Sequence, residues 1–220
     1  MSRILTLFVV AALLPAVVSA DTRPAQGRLL VATDVVHGEL FAKTVVLLLH
    51  YDDTGAFGLV INRPTEVEPR ELLGDDEAAE DYRGTFYWGG PVQMDSLRAL
   101  MRTDEPPHGA EKIVESVYLV AIEDALEQGA MEASSVRLLI GYAGWAPGQL
   151  DYEMGRGSWR VVPATAELVF AEEPSELWKR LAPAQEQRAA VKERMHRYRL
   201  GRQRFDTLGP ETLRAFVDQE

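Results

Sequence analysis

The chain has no cysteine. That excludes thiolate zinc sites, dithiol redox pairs and cysteine nucleophiles, and it leaves stability to the apolar core instead of disulfides. Lipid attachment at a mature N-terminal cysteine is excluded on the same ground. Catalytic signatures are missing as well: the 220 residues hold no Gly-x-Ser-x-Gly elbow, phosphate loop, HExxH or dinucleotide fingerprint. There is no internal repeat and no low-complexity tract. The apolar run from Ile4 to Val18 falls short of the roughly 20 residues that span a bilayer. Positive charge is scarce. The formal net charge is −11, and residues 21–182 hold 14 Lys/Arg against 28 Asp/Glu. A body this acidic repels a phosphate backbone, so no nucleic-acid partner is expected.

What is present begins with export. Met1-Ser2-Arg3 is a short basic start, Ile4 to Val18 an apolar segment, and Val18-Ser19-Ala20 a run of small residues before Asp21. This pattern predicts a signal peptide over 1–20, cleaved after Ala20, and a periplasmic or secreted protein with no stable membrane span; an uncleaved anchor is the alternative. Residues 21–182 are read as one domain. Pro183 marks a boundary, and 183–220 form a helical extension with 8 Lys/Arg against 6 Asp/Glu. Its basic helix, 185–204, carries a thin apolar stripe of Val191, Met195 and Tyr198, so it is expected to dock. The acidic body of the same chain is the favoured surface and an anionic partner, such as a membrane or another protein, the other.

Arg28–Thr33 reads as a first strand, and Lys43–Tyr51 as a strand covered on both faces. Asp52-Asp53-Thr54-Gly55 is a turn into Ala56–Asn62, which predicts a hairpin. A short helix is expected around Pro69–Leu73, within an acidic stretch that opposes eight Asp/Glu to Arg70 alone. Thr85–Trp88 is β-prone and runs into the sharp turn Gly89-Gly90-Pro91. Periodicity leaves Ser96–Arg102 open between strand and helix. Val117–Val120 reads as strand, and Ile122–Gln128 as a helix closed by Gly129. Ser158–Val162 alternates like a strand, Ala166–Phe170 is taken as another, and Pro174–Leu181 as a helix burying Leu177, Trp178 and Leu181. Hairpins mixed with helices, without regular β-α-β alternation, predict an α+β fold with a mainly antiparallel sheet.

The stretch that organises the chain is Val136–Met154. Val136 to Ile140 is a buried strand, Gly141 and Gly144 bracket Tyr142, and Trp145 precedes Pro147 in what reads as the first turn of a helix. Strand, glycine bend and helix start would aim free N–H groups at an anion, or simply let Trp145 enter the core; packing is the favoured reading. Asn62-Arg63-Pro64 ends a buried strand, where a guanidinium can be held beside a cleft or can pair with the acidic segment that follows. Gln149 and Glu153 share a helix face. The candidate binding residues are therefore Asn62, Arg63, Gly89, Gly90, Gly144, Trp145, Gln149 and Glu153. No catalytic residue, metal site or cofactor is assigned. His37 with Glu39 and His50 with Asp52 and Asp53 flank one strand, which puts them at opposite ends of it.

Three blocks occur in order: Gly55-Ala56-x-Gly58-Leu59-Val60-Ile61-Asn62-Arg63-Pro64, Gly89-Gly90-Pro91-Val92, and Gly141-Tyr142-Ala143-Gly144-Trp145-x-Pro147-Gly148-Gln149-Leu150. With these the chain resembles the AlgH/YqgE family over about residues 27–182. The resemblance implies a compact α+β fold with a branched sheet flanked by helices. It also brings a label, transcriptional regulator, without an established activity. Thr33-Asp34, Gly38-Glu39 and His50-Tyr51 stand where the family usually has Met-Pro, Asp-Pro and Glu-His. Three function classes follow. The first is a non-catalytic binding or regulatory module of the cell envelope. The second is a hydrolase-like enzyme with a pocket near Arg63, Gly89-Gly90 and Gln149, and the third is the regulator of the family label.

Overall fold

Apolar runs that alternate cleanly between two faces dictate where the sheet lies. A computed structural model describes residues 22–73, 82–131 and 133–182. The expected leader over 1–20 and the helices expected in the 183–220 extension lie outside them. Among the described residues nine strands form one curled, mainly antiparallel sheet. In chain order they are β1 Arg28–Ala32, β2 Val45–Asp52, β3 Gly55–Val60, β4 Phe86–Trp88, β5 Val92–Arg102, β6 Glu111–Val114, β7 Val117–Val120, β8 Val136–Trp145 and β9 Trp159–Pro163. Among the described residues five short helices accompany them: α1 Pro69–Leu73, α2 Ile122–Met131, α3 Gln149–Gly155, α4 Ala166–Val169 and α5 Pro174–Leu181. The spatial order is β6-β7-β5-β8-β3-β2-β1-β9, and β4 pairs with β8 off this path.

β1 and β2 are buried on both faces. Leu29, Val31, Val45 and Leu47 join the core under α4 and α5, which supply Val169 and Leu177. Leu30, Ala32, Val46 and Leu48 join the opposite core with Trp145, Leu150 and Trp159, on the side of α3. A third cluster, Tyr82, Phe86, Ala99, Met101, Val136 and Leu138, is closed by Ala125 of α2. A period of two on a strand sorts one sequence run into two cores, which is why β2 reads as an unbroken apolar segment.

The expected β2–β3 hairpin forms through the 52–55 turn, with Val46 opposite Val60 and Asp52 opposite Gly55. Four expectations change. Ser96–Arg102, left open by periodicity, lies within β5, because pairing with both β7 and β8 satisfies its backbone on both sides. Ala166–Phe170 is not a strand: Thr165 Oγ1 accepts from the Leu168 N–H and starts the one-turn helix α4. The helix beginning at Ile122 runs through Gly129 to Met131. Pro147 lies before α3, whose N-cap is Gly148.

The largest correction concerns the glycines of the central stretch. They do not bend the chain out of the sheet; β8 continues through them to Trp145. On one side β8 exchanges neighbours along its length. Leu138 to Ile140 pair in parallel with Phe86 to Trp88, and Ala143 to Trp145 pair antiparallel with Gly58 to Ala56. The sheet branches where the partner changes, and there the turn after β4 passes against β8 backbone to backbone. A Cβ on Gly90 would lie 2.1 Å from the Tyr142 carbonyl carbon, and one on Gly141 would lie 2.5 Å from the Gly90 carbonyl oxygen. Both glycines also take positive φ, 151° and 65°.

Tyr82 gives the third core a measurable signature. Burial pushes its phenol up to about 12. In the unfolded chain tyrosine ionises near pH 10. As pH rises the unfolded state therefore releases this proton first, so the contribution is whole below about pH 10 and is lost between there and about 12. The expected loss is about 2–3 kcal/mol. Tyr82→Phe should remove that part of the fall in urea midpoint with pH. An alkaline slope identical in the variant and the natural protein would contradict the assignment.

Candidate functional site

The predicted site residues converge on a loop instead of a hole. Residues 34–43 connect β1 to β2 on the surface, and most of the candidates hold this loop in place. Arg63 donates from Nη1 to the Leu40 carbonyl at 2.7 Å and from Nη2 to the Glu39 and Ala42 carbonyls at 2.8 and 3.0 Å. Its guanidinium lies 4.9 Å from the centroid of the Trp88 ring. The alternative in which Arg63 pairs with the acidic segment after it is therefore not what its side chain does. Three carbonyls fill a fork that could otherwise take a carboxylate or phosphate.

Asn62 fixes the end of the loop. Its Oδ1 accepts from the Val45 N–H at 2.7 Å and its Nδ2 donates to the Lys43 carbonyl at 3.0 Å. Between those contacts Lys43 is held at φ 60°, a conformation an L residue keeps only when its surroundings impose it. α5 braces the same point: Trp178 Nε1 donates to the Ala32 carbonyl at 2.7 Å, and Lys43 Nζ lies 6.0 Å from the Trp178 ring centroid.

The middle of the loop is anchored by Phe41, whose ring lies 6.0, 6.4 and 6.1 Å from the rings of Trp88, Trp145 and Trp159. Glu153 orders two of these. Its Oε2 accepts from Trp145 Nε1 at 2.9 Å and from Trp159 Nε1 at 2.7 Å, while its Oε1 accepts from Gln149 Nε2 at 3.0 Å. Gln149 Oε1 in turn accepts from the Ala146 N–H at 3.1 Å. The α3 first turn holds Asp151, which accepts from the Tyr51 hydroxyl at 2.6 Å.

Gly89 and Gly90 act one step back. They let the turn after β4 cross β8, with the Gly89 N–H donating to the Ile140 carbonyl and the Val60 N–H to the Gly89 carbonyl, and this seats Trp88 under Arg63. Gly144 stands apart, exposed in β8 opposite Phe57. Arg63 and Gln149 line separate clefts on either side of the loop. One, of about 500 Å³, is formed by Glu39, Leu40, Asn62, Arg63, Trp88 and Ser175. The other, of about 650 Å³, includes His37, Phe41, Gln149, Glu153, Arg156 and Trp159. The glycine pair lines neither of these two clefts, and neither of them holds both Arg63 and Gln149.

Sequence reasoning passed over Phe41, Trp88 and Trp159 as site residues. A signal existed: the chain has four tryptophans, and all four sit around this one loop. It also passed over Arg137, a lone charge inside an apolar strand run. The histidines stay apart. His37 lines the cleft beside Gln149, whereas His50 stacks on Phe57 with centroids 5.5 Å apart and pairs with Asp52 at 3.0 Å. Among the described residues no group of three or more His, Asp and Glu is placed to hold a metal ion, and no helix is long and apolar enough to cross a membrane.

Known proteins share this arrangement of sequence and fold. The AlgH-like family (DUF179) matches residues 29–190. A UPF0301 protein of Streptomyces avermitilis is 35% identical over 171 residues, covering 75% of this chain and 89% of that protein. A UPF0301 protein of Idiomarina loihiensis is 32% identical over 162 residues, covering 70% and 88%. The crystal structure of protein DIP2367 from Corynebacterium diphtheriae superposes with a TM-score of 0.62 at 24% identity, over 72% of this chain and 86% of that one, a likeness of fold alone. The solution structure of AlgH from Pseudomonas aeruginosa gives 0.58 at 27% identity, over 71% and 86%. With the three glycine blocks at the strand crossing and the hairpin, these matches show that the chain belongs to the AlgH-like family of UPF0301 proteins.

Proposed function

We propose that this protein is an exported, non-catalytic binding module of the cell envelope, and that loop 34–43 is the surface it presents to a protein partner. The observation that carries the reading is the use of Arg63: its charged fork holds three loop carbonyls, so it shapes a surface and is not left to meet a substrate. The same bracing leaves Leu40 at the loop tip 56% exposed. An apolar residue on a loop fixed before contact loses little conformational entropy on binding, which favours recognition. Glu153 is likewise engaged by three donors and orders indoles. The envelope location rests on the 1–20 segment, and the basic segment 185–204 is proposed as a second contact for the same partner.

A photo-crosslinking residue in place of Leu40 tests the surface in intact cells. A discrete adduct is expected from position 40, lost when Arg63→Gln releases the loop, and absent from a control placed at exposed Glu127. Equal labelling from both positions, or an adduct indifferent to Arg63→Gln, would remove the loop from the proposal. Sequencing the native protein should give Asp21 as its first residue. A cytosolic protein retaining 1–20 would end the envelope part while leaving the loop part standing.

A further inference from the structure

Away from loop 34–43, a third cleft of about 820 Å³ opens between the start of β8, the approach to β4 and the segments flanking α4 and α5. Its lining is unlike the rest of the protein. Residues 21–182 carry two acids for every base, yet the cleft gathers four arginines, Arg83, Arg102, Arg137 and Arg180, against three glutamates, Glu167, Glu172 and Glu173. The four arginines lie far apart in sequence, so the fold concentrates these cations. The glutamates work against an anion, but the lining retains one net positive charge.

Arg137 is the centre of it. The residue is only 4% exposed, in the middle of the apolar run Val136–Ile140. Nη1 donates to the Ile61 carbonyl and Nη2 to the Ala171 carbonyl, both at 2.7 Å. The guanidinium lies 4.5 Å from the Tyr87 ring centroid and 5.6 Å from that of Phe170. Arg102 lies 5.4 Å from the same Phe170 ring. The charged neighbour that acts on Arg137 is Arg102, and among the described residues no carboxylate does so. Burial, and after it the neighbouring Arg102, pulls the guanidinium below the usual arginine range. A buried cation costs several kcal/mol unless it is paired and hydrogen-bonded. Here two carbonyls meet two of the five N–H donors of the fork. A second cation shares its aromatic neighbour, and among the described residues no carboxylate is paired with either charge. Two guanidiniums around one ring at the wall of an open cleft make a receptor for oxygen anions, since planar forks match carboxylate and phosphate in pairs of hydrogen bonds.

We propose that this cleft binds a small dianionic ligand, a phosphate monoester or a dicarboxylate, through Arg102 and Arg180, with Arg137 as the buried charge behind them. The proposal does not depend on loop 34–43, which is built from other residues. Inorganic phosphate and succinate serve as probes, each titrated into the full-length protein at ionic strength matched with sodium chloride, and read by thermal midpoint and backbone amide shifts. At millimolar concentration at least one probe should raise the midpoint and move amides around Arg102, Arg137 and Phe170. The double variant Arg102→Gln/Arg180→Gln, which leaves the Arg137 bonds intact, should weaken that response by about tenfold or more. A response to phosphate alone assigns the ligand to the phosphate esters, to succinate alone the dicarboxylates, and to both their shared oxyanion chemistry. If neither probe differs from matched chloride, if the double variant responds like the natural protein, or if the shifts fall elsewhere, the cleft is not an anion site.

Discussion

Replacing Gly90 by alanine should all but abolish the folded state, with a loss on the order of 4 kcal/mol or more. The added methyl group would lie 2.1 Å from the Tyr142 carbonyl carbon and 2.3 Å from the Ala143 nitrogen, both backbone atoms of β8. A side chain could rotate out of the way, but a strand paired on both sides cannot move without breaking its ladder. The φ of 151° adds a conformation that alanine resists. Urea unfolding is the measurement, with Gly155→Ala as control, because a methyl group there meets nothing within 4 Å. Gly155 ends α3, so its variant should stay within about 1 kcal/mol of the natural protein. A Gly90→Ala protein with the natural midpoint would mean that the two backbones do not cross as described.

Trp145→Ala should cost about 3–5 kcal/mol. The ring is 7% exposed, touches Phe41 and Trp159, and donates to Glu153. Its removal opens a void under the loop and withdraws one of the three donors that hold the Glu153 carboxylate. Trp145→Phe separates these effects: it keeps most of the volume and loses the N–H, so it should recover more than half of the loss. Chemical denaturation of the two variants checks the order. Natural stability in Trp145→Ala would place the indole outside the core.

Local pattern made much of this fold legible. The two apolar runs and the turn between them specify β2 and β3, and Pro174 with the buried Leu177 specifies α5. Ambiguity remained where the pattern is short or set by distant partners. The four-residue run Ala166–Val169, one charge among apolar residues, is too short to separate a strand from a helix turn, and one capping hydroxyl decides between them. β5 owes its strand state to β7 and β8, which lie 15 or more positions further along the chain. The glycine blocks marked the right place for the wrong reason. They read as a bend before a helix, yet they serve a crossing of two backbones, and the second backbone lies about 50 residues earlier.

The site was legible as a set of residues and not as a shape. Asn62, Arg63, Trp145, Gln149 and Glu153 were all recognisable as groups beside buried strands or on a helix face. That they secure a loop beginning at Asp34 depends on contacts 20 to more than 100 positions long, between Arg63 and Leu40 and between Phe41 and Trp159. Arg137 was visible as one charge in an apolar run. Only the fold shows that it shares a ring with Arg102 and, among the described residues, has no carboxylate acting on it.

If loop 34–43 is a surface fixed before any partner arrives, backbone ¹⁵N relaxation of the free protein will show it. For residues 38–43 the account predicts order parameters of about 0.85, equal to those of rigid strands, falling below about 0.6 in Arg63→Gln, where three carbonyl bonds are released. A loop already below about 0.6 in the natural protein, or one whose order parameters do not change when Arg63 is replaced, would contradict it.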